Sequence, residues 1–163
     1  MNKLRAASLL LLAPAFAPFA AQAAQATSTL VVSATVLNSC VVLPSTLLFG
    51  NVSSAANTDA TATIAVTCTL GTSYNVGLDA GAGASATTSD RKMTSLATDT
   101  LNYALYSNAG RTTNWGASVG VDTVAGTGNG LVQNLTVYGR VPSGQTTTPA
   151  GAYTDTVNIT VEY

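Results

Sequence analysis

The two cysteines are the residues of this chain whose chemistry is easiest to assign. Cys40 and Cys68 are the only cysteines in the 163-residue sequence. An even number of cysteines in an exported chain predicts a disulfide, and the closed loop would stabilise the fold by roughly 3–4 kcal/mol. Because the chain has no histidine and no further cysteine, it lacks the usual zinc ligands. We therefore predict a Cys40–Cys68 disulfide and no metal site.

Other reactive side chains occur without the partners that catalysis requires. The absence of histidine excludes Ser–His and Cys–His nucleophile systems. The glycine-rich run 126–130 lacks the following Lys-Ser/Thr of a phosphate-binding loop. The carboxylates are scattered and form no tight local pair: Asp59, Asp79, Asp90, Asp99, Asp122, Asp155 and Glu162. We predict that the protein is not an enzyme and has no catalytic residue and no cofactor.

The N-terminus has the pattern of a secretory signal peptide over residues 1–24. Lys3 and Arg5 precede an apolar stretch that Pro14 and Pro18 interrupt, and small residues suitable for cleavage follow at 21–23. The stretch is too short and too interrupted to span a membrane. We therefore expect an exported chain without a transmembrane segment.

The mature chain carries little charge. Removing the two basic residues of the signal leaves four basic and seven acidic residues, a net charge of 4 − 7 = −3. Charged residues make up 8% of the sequence, against roughly a quarter in ordinary soluble domains. Nucleic-acid binding needs clustered Lys and Arg, so we predict no nucleic-acid partner.

The elements that must position these residues are β-strands. After the signal no segment keeps a helical period, and runs of alternating apolar and polar residues recur between turns rich in Gly, Asn, Ser and Pro. The expected strands or strand-like runs are 29–37, 40–48, 61–70, 73–78, 91–96, 101–106, 108–115, 135–140 and 153–163. Seven to nine short strands predict one all-β domain, an antiparallel sandwich.

The two ends of the mature chain carry the most distinctive strands. At the N-terminus, one face of 29–37 presents Leu30, Val32, Ala34 and Val36. At the C-terminus the alternating apolar residues are Val157, Ile159, Val161 and Tyr163. A spare strand at one end and an abrupt stop at the other would suit completion by a neighbouring chain. From pattern alone, 29–37 could equally be an ordinary first strand of its own domain.

Several segments resemble the spore coat protein U domain family, which includes subunits of archaic, Csu-type chaperone–usher pili. The resemblance covers 40–163, and its most specific block is 137–163. The matching segments are Leu47–Asn51, Val66–Thr69, Leu101–Tyr106, Asn114–Gly116, Val137–Pro142 and Gly151–Val157.

The resemblance implies an immunoglobulin-like sandwich over 39–163 that lacks its last strand, preceded by a donor-strand extension over 25–38. The implied partners are a periplasmic chaperone, an outer-membrane usher, and further copies or sister subunits. The C-terminal strand, with Val157, Ile159, Val161 and Tyr163, would contact the chaperone. The implied route leads through the periplasm to a surface pilus that supports adhesion and biofilm formation.

Two other functions stay open from sequence. One is a secreted or coat-layer β-sandwich that folds alone. The other is a small carbohydrate-binding module that uses Trp115, the single tryptophan, together with nearby tyrosines.

Overall fold

The computed structural model describes residues 23–43 and 45–163. The predicted signal peptide therefore lies outside the described residues, except for residues 23 and 24. The chain divides into two units, residues 1–34 and 35–163. In the first unit, residues 23–34 form no strand and are exposed. No helix in the described part is long and apolar enough to cross a membrane.

The second unit is an antiparallel β-sandwich, which confirms the predicted fold class. Its strands are β1 Cys40–Val42, β2 Thr58–Cys68, β3 Ser73–Leu78, β4 Arg91–Thr94, β5 Thr100–Tyr106, β6 Val124–Thr127, β7 Val132–Val141 and β8 Ile159–Glu162. One sheet has the order β1-β2-β7-β5-β4, and the other has the order β6-β3-β8.

The core forms where alternate residues of the two sheets face each other. Ile64 and Val66 of β2 oppose Tyr74 and Val76 of β3 across the sandwich, and all four are buried. The period of two places their neighbours outside, where threonine predominates on β2. Alternation thus fixes which face of each strand is buried.

Trp115 belongs to this core. Its side chain is 1% exposed, and its Nε1–H donates a hydrogen bond of 2.8 Å to the carbonyl oxygen of Val76. A ligand could not stack on a ring buried in this way. The alternative in which Trp115 forms a carbohydrate site is therefore excluded, and the ring instead fills the space beside β3.

The last segment of the chain crosses from one sheet to the other. Thr154 exchanges two backbone hydrogen bonds with Thr94 at the edge of the five-stranded sheet. Further along, Ile159 and Val161 pair with Leu78 and Val76 of β3 in the three-stranded sheet. The predicted single strand over 153–163 is therefore divided, and only Ile159–Glu162 is strand.

Candidate strand-acceptor groove

An apolar groove opens between the segment after β1 and the last segment of the chain. Its volume is about 340 Å³. The floor is built by inward side chains of the sheets, among them Ala62, Ile64, Leu78, Leu105 and Val137. The walls are Leu47, Leu48 and Phe49 on one side and Tyr153, Val157 and Ile159 on the other. These side chains present a largely hydrocarbon surface to whatever occupies the groove.

The groove runs beside an unpaired strand edge. β8 is hydrogen-bonded to β3 and stands last in its sheet. No second strand pairs with β8 among residues 23–43 and 45–163. Its outward backbone N–H and C=O groups are therefore available to a further strand, and an open edge of this kind favours pairing with another chain.

A second hollow continues the groove toward the loops at one end of the sandwich. Its volume is about 790 Å³. It shares Leu47, Phe49 and Tyr153 with the first groove and extends along the loop 142–152. The two hollows are therefore adjacent and share part of their lining.

One polar pair interrupts the apolar lining. The Tyr103 hydroxyl donates a hydrogen bond of 2.6 Å to Asp155 Oδ2. Burial, followed by this hydrogen bond to a carboxylate, raises the pKa of Tyr103 well above its ordinary value. Asp155 also accepts bonds from the backbone N–H groups of Ala82 and Thr156. The pair thus fixes the start of the last segment against β5.

A second carboxylate holds the same segment nearer β8. Asp79 accepts hydrogen bonds from the backbone N–H and the side-chain amide of Asn158, at 2.9 and 2.6 Å. Burial favours the neutral acid, but the bonds from Asn158 and from the Gly81 N–H outweigh it and hold the pKa of Asp79 below its ordinary value. Asp79 is therefore an ionised anchor for the groove wall.

A buried guanidinium supports the groove from behind. Arg91 is fully buried, and its N–H groups donate to four backbone carbonyls, those of Leu78, Asp79, Thr88 and Trp115. The side chain ties the end of β3 to β4 and to the segment around Trp115. Sequence reasoning missed this role, because neither the residue type nor its spacing distinguishes Arg91 from an exposed strand residue.

The predicted site residues fall into three groups. Cys40 and Cys68 form the predicted disulfide, which joins β1 to β2. Of the C-terminal residues, Val157 and Ile159 line the groove, Val161 packs against the core, and Tyr163 is 60% exposed. The predicted donor residues Leu30, Val32, Ala34 and Val36 are all exposed and outside any strand.

Nothing in the described residues suggests metal chemistry. Residues 23–43 and 45–163 contain no cluster of three or more side chains that could hold a metal ion. The site is defined instead by an apolar cleft and an open strand edge. The class of protein is thus an antiparallel β-sandwich with an accessible groove between its sheets.

The chain belongs to the Spore Coat Protein U domain family, whose model matches residues 26–160. It is 40% identical over 83 residues to Protein U of Myxococcus xanthus, a match that covers 50% of this chain and 45% of that protein. The chain therefore spans about half the length of that relative. The predicted family is confirmed.

A solved structure has the same fold. It is the CsuC–CsuE chaperone–tip adhesion subunit pre-assembly complex from the archaic chaperone–usher Csu pili of Acinetobacter baumannii. The TM-score is 0.59 at 25% identity, and the match covers 79% of this chain and 40% of the matched chain.

Proposed function

We propose that this protein is a structural subunit of a surface pilus that is assembled by donation of an N-terminal strand between copies. The observation that carries the proposal is the apolar groove beside the unpaired edge of β8. A strand added at that edge would satisfy the backbone groups of β8 and cover the floor of the groove. Main-chain bonds would supply affinity, and alternate side chains would fill the pockets.

The occupant that we propose is residues 29–37 of a second copy. Its apolar face consists of Leu30, Val32, Ala34 and Val36. The three larger side chains are each more than 80% exposed in the single chain. Full burial of these three would contribute roughly 1.5–3 kcal/mol each. That total is comparable with the stability of many single domains, so the joined product should dissociate very slowly.

The similarity to the Csu complex supports an assembly route that begins with a chaperone. A periplasmic chaperone would cover the groove first, and an outer-membrane usher would then exchange it for the donor strand of the next subunit. The chaperone contact would be the C-terminal strand with Val157, Ile159, Val161 and Tyr163. The subunit would reach the cell surface, where the fibre would support adhesion and biofilm formation.

The test is a comparison of donor-strand variants produced in the periplasm with the cognate chaperone. The first variant lacks residues 25–37, and the second replaces Leu30, Val32 and Val36 by threonine. The matched control is Val31→Thr, which changes a β-branched residue on the opposite face. Unheated denaturing gels should show a ladder of heat-sensitive multimers for wild type and control, and monomer for the first two variants.

Two results would refute the proposal. One is a ladder that survives removal of the donor segment. The other is a wild-type chain that is a stable monomer without any chaperone, which would favour the secreted or coat-layer sandwich that folds alone. A further variant, Ala34→Leu, tests whether a small side chain is needed at one point of the groove, and we expect it to slow polymerisation.

A further inference from the structure

The outward face of the five-stranded sheet carries a cluster of aromatic and charged side chains away from the groove. Most outward positions near it are small, such as Thr61, Thr63, Ala104 and Thr136. Tyr138 of β7 is the cross-strand partner of Tyr106 of β5, and Arg140 of β7 is the partner of Asp59 of β2. Together with one loop arginine, the Arg–Tyr patch consists of Asp59, Tyr106, Arg111, Tyr138 and Arg140.

The two arginines share a single carboxylate. Arg140 donates to both oxygens of Asp59, at 2.7 and 2.8 Å, and Arg111 Nη1 lies 3.3 Å from the same group. The hydrogen bond from Arg140 lowers the pKa of Asp59, so this carboxyl is ionised near neutral pH. Two guanidinium groups against one carboxylate leave an excess of one positive charge. The patch is thus locally cationic on a mature chain of net charge −3.

Arg111 is held in a disfavoured conformation. Its φ is 53°, which non-glycine residues rarely adopt. The side chain reaches back from the loop to the sheet, where Nε donates to the Gly139 carbonyl at 3.1 Å and the guanidinium lies 5.8 Å from the centre of the Tyr138 ring.

Each guanidinium keeps an unused edge. Within the described part of the chain, Arg111 Nη2 and Arg140 Nη1 have no hydrogen-bond partner. The side chains of Arg140 and Asp59 are 31% and 35% exposed, whereas that of Arg111 is only 14% exposed, so Arg140 presents the accessible edge. Guanidinium N–H groups recognise carboxylates with good geometry. Beside them stands the partly exposed ring of Tyr106, whose negative face attracts the C–H groups of a sugar ring.

We propose that the Arg–Tyr patch binds a carboxylated polysaccharide. The free guanidinium edge of Arg140 takes the sugar carboxylate, the Arg111 guanidinium adds its charge from behind, and Tyr106 packs against the pyranose ring. A neutral glycan would leave the excess charge unmatched. A nucleic acid would need a longer run of basic residues than two. The site uses neither Trp115 nor the groove, so it does not depend on the proposed pilus function.

The test is retention of the mature chain, purified in complex with its chaperone, on three matrices: polygalacturonate, neutral dextran and dextran sulfate; the chaperone alone is the blank. The variants are Arg140→Gln, which removes a guanidinium, and Tyr106→Leu, which removes an aromatic face while keeping apolar bulk. The matched control is Lys92→Gln, which removes one positive charge elsewhere. Fluorescence of Trp115 verifies that each variant keeps the native core.

We expect retention on polygalacturonate above that on both other matrices. Each of the two patch variants should weaken it roughly tenfold, the effect of losing one good contact, while Lys92→Gln leaves it unchanged. Three results would overturn the proposal: no retention on polygalacturonate, equal retention on dextran sulfate that Tyr106→Leu does not change, or an equal loss with Lys92→Gln. If Arg140→Gln alters the fluorescence of Trp115, that variant has lost the native core, and the retention of Tyr106→Leu alone tests the proposal.

Discussion

Replacing Arg91 by methionine tests the claim that a buried guanidinium organises the back of the groove. Methionine is apolar and of similar length, so Arg91→Met removes the charge and all four donors with little change in shape. The carbonyls of Leu78 and Trp115 accept the two bonds that are fully buried, at 2.9 and 2.8 Å. They would be left without their charged donor in a dry environment.

The expected cost follows from these two carbonyls. Leaving one buried acceptor unsatisfied costs about 1–3 kcal/mol, so the pair would cost about 2–6 kcal/mol. Removing the guanidinium also ends the penalty of burying a charge, which offsets part of this loss. We therefore expect Arg91→Met to lower the free energy of unfolding by less than the full sum, about 2–4 kcal/mol. Arg91→Lys should lie between wild type and Arg91→Met, since one ammonium cannot reach all four carbonyls.

The assay is urea unfolding followed by the fluorescence of Trp115, whose carbonyl is one of the acceptors. With a slope of about 2 kcal/mol per molar urea, the midpoint should fall by about 1–2 M. The matched control is Arg140→Met, which breaks a partly exposed ion pair with Asp59 and should cost about 1 kcal/mol or less. The reasoning would be refuted if the urea midpoints of Arg91→Met and Arg140→Met differed by less than about 0.5 M, which corresponds to about 1 kcal/mol.

Three other predictions concern stability. Reducing the Cys40–Cys68 disulfide, whose cysteines are 28 residues apart, should lower the free energy of unfolding by about 3.5 kcal/mol; a loss below about 1 kcal/mol on adding dithiothreitol would contradict the loop-entropy account. Because the pKa of Asp79 is lowered from its ordinary value of 3.8, its bonds to Asn158 stabilise the fold above that value and are lost as the pH falls through the lower folded value. When the pH is lowered from about 5 to about 2, the melting temperature should fall less in Asp79→Asn than in wild type. An equal fall in both proteins would exclude this role for Asp79. Gly126→Ala would place a Cβ against the ring of Tyr74, so we expect a loss of about 1–3 kcal/mol from overpacking, and an unchanged urea midpoint would show that the ring moves aside freely.

Strands with strong alternation were the part of the fold that sequence could predict. β3 has the predicted bounds, 73–78, because Tyr74, Val76 and Leu78 alternate with polar or small residues between clear turns. β2 begins three residues earlier than predicted, at Thr58. The polar residues at the start of β2 are held in the strand by pairing with β7, and no local sequence pattern predicts that pairing.

Elements that depend on distant partners were missed or misjudged. β6, Val124–Thr127, lies in a glycine-rich stretch where no strand was expected. It is a strand because it pairs with β3, where the ring of Tyr74 covers Gly126. The buried position of Arg91 was likewise invisible, since its four acceptors come from three separate parts of the chain. The groove lining could be predicted at Val157 and Ile159, whose alternation puts them inside.

The last segment of the chain, from Tyr153 onward, is held in place by hydrogen bonds on the side that faces the sandwich, whereas the opposite edge of β8 pairs with no described strand. Asp155 binds Tyr103, Asp79 binds Asn158, and β8 pairs with β3. These contacts hold one wall of the groove in place before anything occupies it. A strand that adds to the free edge of β8 would then lose its own conformational freedom but would not have to order the wall, which favours tight binding. An open edge that is anchored from behind is therefore what a strand-accepting subunit requires, whereas a sandwich that folds alone would gain nothing from leaving the edge uncovered.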